Sequence, residues 1–256
     1  MRIWAIFKKE LRLYFTSPVA YVVGTMFLLI AGVFFYLSFG TFSIYSMQAA
    51  MNPQFARDLN VTEAVFRPLL SNTFSVVLLL LMPILTMRLF AEEKKTGTVE
   101  LLLTYPIKDG EVLIGKFLAA LTLYILMLAC TALYPALAAY LTTVELAPLL
   151  TGYLGLLLMG AAFIAVGLLA SSLTENQIVA AVATFGILLI LWVLGWSAEI
   201  VGPTWGKVMT HLSILEHQEG FGKGVIETKD VTYYVNLTIL CLFLTLRSLE
   251  SKRWRG

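Results

Sequence analysis

The sequence predicts an all-helical integral membrane protein with six transmembrane helices, an N-terminal interfacial amphipathic helix and both termini in the cytoplasm. Three observations carry this. Of 256 residues, 59% are hydrophobic and only 13% charged, whereas soluble domains carry about a quarter charged residues. The charges divide the chain into apolar stretches that match the need of about 20 residues to cross a bilayer core. Lys and Arg then segregate to one side of those stretches.

Arg2 to Ser17 comes first. Ile3, Phe7, Leu11, Tyr14 and Phe15 fall near one helical face, with Arg2, Lys8, Lys9 and Arg12 free to meet lipid phosphates, the pattern of a helix lying on the inner leaflet. Pro18 breaks this helix and redirects the chain into the membrane. The first span is placed at Val19 to Phe39 and the second between Arg67 and Arg88. The third lies between Lys116 and Glu145, the fourth between Glu145 and Glu175, and the fifth between Glu175 and Glu199. The sixth has only sixteen uncharged residues between Asp230 and Arg247, about 24 Å of helix, which is short unless its ends snorkel.

Orientation follows from the basic residues. With the N-terminus inside, thirteen face the cytoplasm and five, Arg57, Arg67, Lys207, Lys223 and Lys229, face out. The net charge of +2 reflects this bias and gives no ground for nucleic-acid binding. The first apolar run is too long for a signal-peptide core and lacks an A-x-A site directly after it, so it reads as a retained anchor.

Several features have ordinary readings. Cys130 and Cys241 each sit inside a span and read as small core residues. The segments Thr41 to Pro68 and Ser197 to Asp230 are long enough to hold structure outside the membrane, the second through glycine-rich turns and short helices. His211 and His217 lie there beside Glu216 and Glu219, but without a ligand rhythm they read as exposed loop residues. Tyr21, Tyr36, Tyr140, Tyr153, Trp192, Trp196, Tyr233 and Tyr234 read as headgroup anchors. Gly155, Gly160, Ala161, Ala165, Gly167 and Ser171 permit close helix contact, either within the bundle or in a dimer.

Some chemistries are disfavoured. The spans as bounded contain no Asp, Glu, Lys, Arg or His, whereas proton-coupled carriers mark their pathways with such groups. Gly110 to Phe117 fits G-x-x-x-x-G-K but puts Phe117 where a phosphate loop needs Ser or Thr. It reads instead as a helix start, with Asp109 as N-cap and Lys116 at the lipid interface. Neither H-E-x-x-H nor G-x-S-x-G occurs. The chain therefore reads as no enzyme, binding no cofactor or metal.

Ten of the 34 charged residues concentrate in the island Arg88 to Lys116. A charged run ends at Gly97, read as a hinge. A short helical turn follows, with Thr98 able to cap it and Glu100 in its first turn, and Tyr105-Pro106 closes it. Such a helix on a cytoplasmic loop is a lever between a soluble partner and two spans.

The stretches FKKELRLYFTSPVAYV, MRLFAEEKKTGTVELLLTYPI, GKFLAALTLY, GLLASSLTENQIVAA and LRSLESKRW carry a resemblance that covers nearly the whole chain. The chain resembles the permease subunits of type-2 ATP-binding-cassette exporters, particularly the gliding-motility-like branch. The resemblance implies a single permease domain over residues 1–256 in a bacterial cytoplasmic membrane. Within it, residues 1–18 form the interfacial helix, 88–116 the cytoplasmic coupling loop and 198–230 an outer, re-entrant segment. It implies association with a second permease, as homodimer or heterodimer, and with cytoplasmic ATPase subunits that hold ATP and magnesium. It assigns coupling to Glu92, Glu93, Lys94, Lys95, Thr96, Gly97, Thr98, Glu100 and Leu101, with a second contact at Ser171, Ser172, Thr174, Glu175 and Asn176. A membrane scaffold that docks partners through the same island without moving a solute is the alternative reading.

Overall fold

The computed structural model describes residues 2–51, 60–97, 108–197 and 202–253, and among these every regular element is a helix. Six segments are long and apolar enough to cross a membrane: Pro18–Ala49, Thr62–Lys95, Asp109–Leu141, Leu146–Leu173, Gln177–Trp196 and Thr228–Ser251. The six expected spans are present, and the second, third and sixth run past the charges taken as their limits.

Helix α1 (Arg2–Thr16) is separated from α2 (Pro18–Met51) by Ser17 alone. Proline at a first helical position loses no hydrogen bond, and the Val19 N–H donates to the Ser17 hydroxyl at 3.4 Å, so the chain turns into the membrane without a loop. α2 has 34 residues, about 51 Å at 1.5 Å per residue. It outlasts the bilayer core and takes up the start of the segment expected to leave the membrane at Thr41.

The second span is composite. Two π-helical turns, Thr62–Phe66 and Leu69–Thr73, flank Arg67 and Pro68. Proline offers no N–H and crowds the carbonyl four residues back, and widened turns are one way a helix accommodates it. α3 (Phe74–Thr86) and α4 (Arg88–Lys95) follow, with Met87 between them. The span thus ends inside the charged island.

The third span comprises α5 (Asp109–Thr131) and α6 (Leu133–Leu141). It begins before Lys116, which the sequence had placed at its edge. Lys108 rather than Asp109 occupies the N-cap, and its backbone N–H donates to the Glu111 carboxylate at 3.0 Å. A carboxylate one turn in serves the same orphan amides and suits the helix dipole.

α7 (Leu146–Leu173) and α8 (Gln177–Ser197) form the fourth and fifth spans, and α11 (Thr228–Arg253) the sixth. The most apolar windows of the second and fourth spans are 72% buried, against 17% for the first, fifth and sixth, so the former pair makes the centre of the bundle. The small residues of α7 explain how. A Cβ added at Gly160 would lie 2.1 Å from the Tyr124 ring, and one at Gly167 2.0 Å from the Thr86 hydroxyl. Tyr124, fully buried, donates to the Leu156 carbonyl at 2.6 Å. These glycines therefore serve packing inside this chain, where close approach and interhelical hydrogen bonds replace a hydrophobic driving force.

α9 (Pro203–Leu212) and α10 (Ile214–Gly222) form a short hairpin at the end of the bundle remote from α1. Its anchors come from α11. Tyr233 donates to the Leu212 carbonyl at 2.7 Å and Tyr234 to the Ile214 carbonyl at 2.9 Å, supplying the donors that a helix break leaves wanting. His217 Nδ1 lies 2.7 Å from Asp230 Oδ1, its Nε2 lies 3.2 Å from the His211 carbonyl, and its ring stacks on Tyr233. The expectation of an exposed His217 and of a headgroup-facing Tyr234 is therefore corrected, both being buried, while Tyr233 is half-exposed. Both polar ends of this cluster are buried because they satisfy each other. Among the described residues no group of three or more His, Cys, Asp or Glu is placed to hold a metal.

Candidate functional site at the α4 end of the bundle

The residues singled out for coupling gather where α1, α4, α5 and the end of α7 meet. The pattern begins with α1. Its buried residues are Ile6, Glu10 and Tyr14, one helical turn apart, with Ile3, Phe7 and Leu11 half-buried beside them and Phe15 exposed. The packed face is thus rotated from the purely apolar stripe read in the sequence, and a carboxylate stands at its middle. A buried carboxylate requires a partner.

The partner is Lys116. Its Nζ lies 3.0 Å from Glu10 Oε1 and 2.9 Å from Glu93 Oε1, with the side chains of Lys116 and Glu10 only 1% and 7% exposed. Lys9, at the rim, approaches Glu93 at 3.4 Å and Glu10 at 3.5 Å. Gly115 makes this possible. A Cβ there would sit 2.7 Å from Ile6 Cγ2 and 3.4 Å from the Ile3 carbonyl, so α1 crosses α5 at that glycine. The Gly115-Lys116 pair that imitates a phosphate loop is a helix crossing followed by an ion pair. Lys116 at the lipid interface is corrected accordingly.

Helix α4 is fastened to α7 by one hydroxyl. Ser171 Oγ accepts the N–H groups of Phe90 and Ala91, each at 3.0 Å, and donates to the Met87 carbonyl at 3.0 Å. These are groups that the break at Met87 leaves at a helix start. Lys94 donates to the Ser172 carbonyl. Arg88 closes the other side, donating to Glu92 at 3.0 Å and to the Ser17 hydroxyl at 2.8 Å. Tyr14 donates to the Leu85 carbonyl at 3.2 Å, and burial, reinforced by nearby Glu10, pushes its phenol well above the ordinary tyrosine range. It stays a neutral donor at physiological pH.

α4 ends as the sequence suggests. Thr96 is the C-cap, its hydroxyl donating to the Glu92 carbonyl at 2.9 Å, and Gly97 takes the left-handed conformation with φ +70°. That conformation penalises any residue with a Cβ. Thr98, Glu100 and Leu101 lie outside the described residues.

The second contact divides in two. Ser171 and Ser172 are fully buried and join α7 to α4. Glu175 and Asn176 are exposed in the turn before α8. Asn176 caps α8 by accepting the Ile178 N–H at 2.9 Å, and its own N–H donates to the Thr174 hydroxyl at 3.1 Å.

Sequence reasoning missed Ile6, Glu10, Gly115 and the pairing of Lys116. One signal was available: Glu10 lies four residues from both Ile6 and Tyr14, so it interrupts an apolar stripe and asks for a cation from another helix.

A helical bundle with six segments apolar enough to cross a membrane, whose second span runs on into a polar helix tied to three other elements, defines a multi-pass membrane protein. The model of the family described as ABC-2 family transporter protein matches residues 4–244, and the chain belongs to that family. Members are membrane components of transporters that normally work with an ATPase subunit. No curated protein matches the chain.

Proposed function

We propose that this chain is the non-catalytic permease of an ATP-driven exporter and that a separate cytoplasmic ATPase, holding ATP and magnesium, drives it through α4 and the turn Thr174–Asn176. The observation that carries the reading is the set of ties on α4. Lys9 and Lys116 meet Glu93, Ser17 meets Arg88, and Ser171 meets the amides of Phe90 and Ala91. A push on α4 is thereby shared among α1, α5 and α7, and α4 ends at Gly97 in the left-handed conformation. The excess of basic residues on this side supports a cytoplasmic setting for it. A dimer of two such bundles, an outer re-entrant α9–α10 hairpin and a bacterial inner-membrane location complete the proposal. The resemblance to the gliding-motility-like branch extends it to mechanical work in a membrane complex.

The test is the rate of ATP hydrolysis in the reconstituted complex, compared with the ATPase alone. Gly97→Pro forces φ to about −65° where +70° is needed, and Ser171→Ala removes the hydroxyl that joins α7 to α4. Both variants, checked for unchanged secondary structure, are expected to co-purify with the ATPase but to lose the rate change that the permease imposes. Full retention of that change in both would overturn coupling through α4. Loss of co-purification without any effect of inner-path substitutions would favour the scaffold reading.

A further inference from the structure

Resting on the reading that the α1 end faces the inner leaflet, we propose that the trough between α1 and α4 is a binding site for an anionic phospholipid. The trough has two neighbouring parts. One, of about 480 Å³, runs between α1 and α4 with Leu13, Tyr14 and Leu89 on its apolar side. The other, of about 360 Å³, lies along α1 beside Lys8 and Arg12. Lys9, Leu13 and Thr16 line both, so the two adjoin along α1.

Charge separates the two parts. In the first, Lys9, Arg88 and Lys116 face Glu10, Glu92 and Glu93, and each cation lies within ion-pair distance of one of those carboxylates. In the second, Lys8 and Arg12 make no ion pair among the described residues, although the Lys8 ammonium lies 5.5 Å from the centre of the Trp4 ring. Lys8 and Arg12 are four residues apart on one helix, where like charges repel. A phosphate bridging them relieves that repulsion and accepts from both.

The rest of the trough selects an amphiphile. The Tyr14 hydroxyl is engaged with Leu85, the Ser17 hydroxyl with Arg88, and the Thr16 hydroxyl with the Arg12 carbonyl. A purely polar solute therefore finds few free partners there, whereas an acyl chain can lie along Leu13 toward Leu89. Trp4, Leu13 and Phe15 are exposed on α1, which suits a helix at the membrane surface beside the start of the first span. An occupant held there touches α1 and α4 together, so its presence bears on the movement of α4.

The test uses the permease without its ATPase, so that its failure leaves the coupling reading intact. The full chain is placed in nanodiscs of phosphatidylcholine alone or with phosphatidylglycerol, and lipid retained on mild extraction is counted by native mass spectrometry. One retained phosphatidylglycerol per chain is expected. Lys8→Ala/Arg12→Ala should weaken retention about thirty-fold, from about 1 kcal/mol for each basic residue at an anionic surface. Thr16→Trp, which fills the trough and spares the cations, should abolish it, and Lys229→Ala at the far end should not change it. Inorganic phosphate should not compete.

Equal retention of phosphatidylcholine, unchanged retention in Lys8→Ala/Arg12→Ala or in Thr16→Trp, or displacement by inorganic phosphate would each overturn the proposal. So would absence of retained lipid on the unaltered chain, and a separate co-purification in which Lys8→Ala/Arg12→Ala loses the ATPase would then assign the two cations to an acidic protein surface.

Discussion

Lys116 on α5 and Glu93 on α4 approach to 2.9 Å across the α4 end of the bundle, and the same ammonium reaches Glu10 on α1 at 3.0 Å. Three helices separated by long stretches of sequence are thereby joined at one atom. Two carboxylates share a single buried cation, with Lys9 assisting from the rim, so the arrangement depends on Lys116 more than on either acid.

Lys116→Met is accordingly expected to lower stability by about 3–5 kcal/mol, because it leaves two carboxylates facing each other without their buried partner. Thermal unfolding in detergent, followed by the loss of monodisperse protein, measures this. The triple variant Glu10→Met/Glu93→Met/Lys116→Met should recover most of the loss, since apolar replacement of a whole buried ion network is often neutral or better. If the single variant matches wild type, the network contributes nothing to the fold.

The spans were legible because lipid imposes a strong rule on composition, and charge gaps found all six. What the gaps could not reveal is a charge inside a helix that is paired with another helix. Lys116 and Asp230 marked span ends in the sequence, yet one is a buried hub and the other a buried partner of His217. Their partners, Glu10 and His217, lie on segments outside the spans, and only the path of the chain brings them together. The break at Gly97 was readable from local chemistry, whereas the tie made by Ser171 was not, because a hydroxyl that serves a different helix leaves no local pattern. The glycines of α7 were legible as contact points but not as contacts with Tyr124 and Thr86.

Those contacts give a second prediction. Gly160→Ala must displace the Tyr124 ring, whose hydroxyl is bonded to Leu156, and Gly167→Ala must displace Thr86. Each should cost about 1–3 kcal/mol, the usual range for overpacking. Gly24→Ala and Gly186→Ala have no atom within 4 Å of the new methyl group, so they should be neutral or slightly stabilising within this chain. Melting temperatures of the four variants, compared side by side, decide it. Equal effects at all four positions would mean that the close crossings are not formed.

The α9–α10 hairpin supplies a third. His217→Phe preserves a ring to stack on Tyr233 but strips Asp230 of its buried partner and leaves the His211 carbonyl without its contact. Leaving a buried acid unpaired is strongly unfavourable, so the α9–α10 hairpin should loosen before the rest of the bundle. Hydrogen exchange is the suitable measurement, with faster exchange expected over residues 203–222 and unchanged protection in α7. His217→Phe/Asp230→Leu should restore part of the protection. Uniform loss over the whole chain would show that the pair stabilises the bundle rather than the hairpin.

A fourth prediction concerns alkaline pH and Tyr14. Its phenol is held above the usual value near 10, chiefly by burial and secondarily by Glu10, against a smaller opposing pull from Arg88. A group that keeps its proton longer in the folded state contributes fully below the unfolded value and loses that contribution as pH rises through and beyond about 10. The slope attributable to one such group is about 1.4 kcal/mol per pH unit. Tyr14→Phe gives up the bond to the Leu85 carbonyl, about 1 kcal/mol at neutral pH, but removes one proton from the alkaline dependence. Denaturation measured between pH 8 and 12 should therefore give curves for the two proteins that start apart, converge above pH 10 and cross before pH 12. Parallel curves would mean that Tyr14 is exposed enough to ionise as freely in the folded chain as in the unfolded one, and that α1 is not seated on α3 at Leu85.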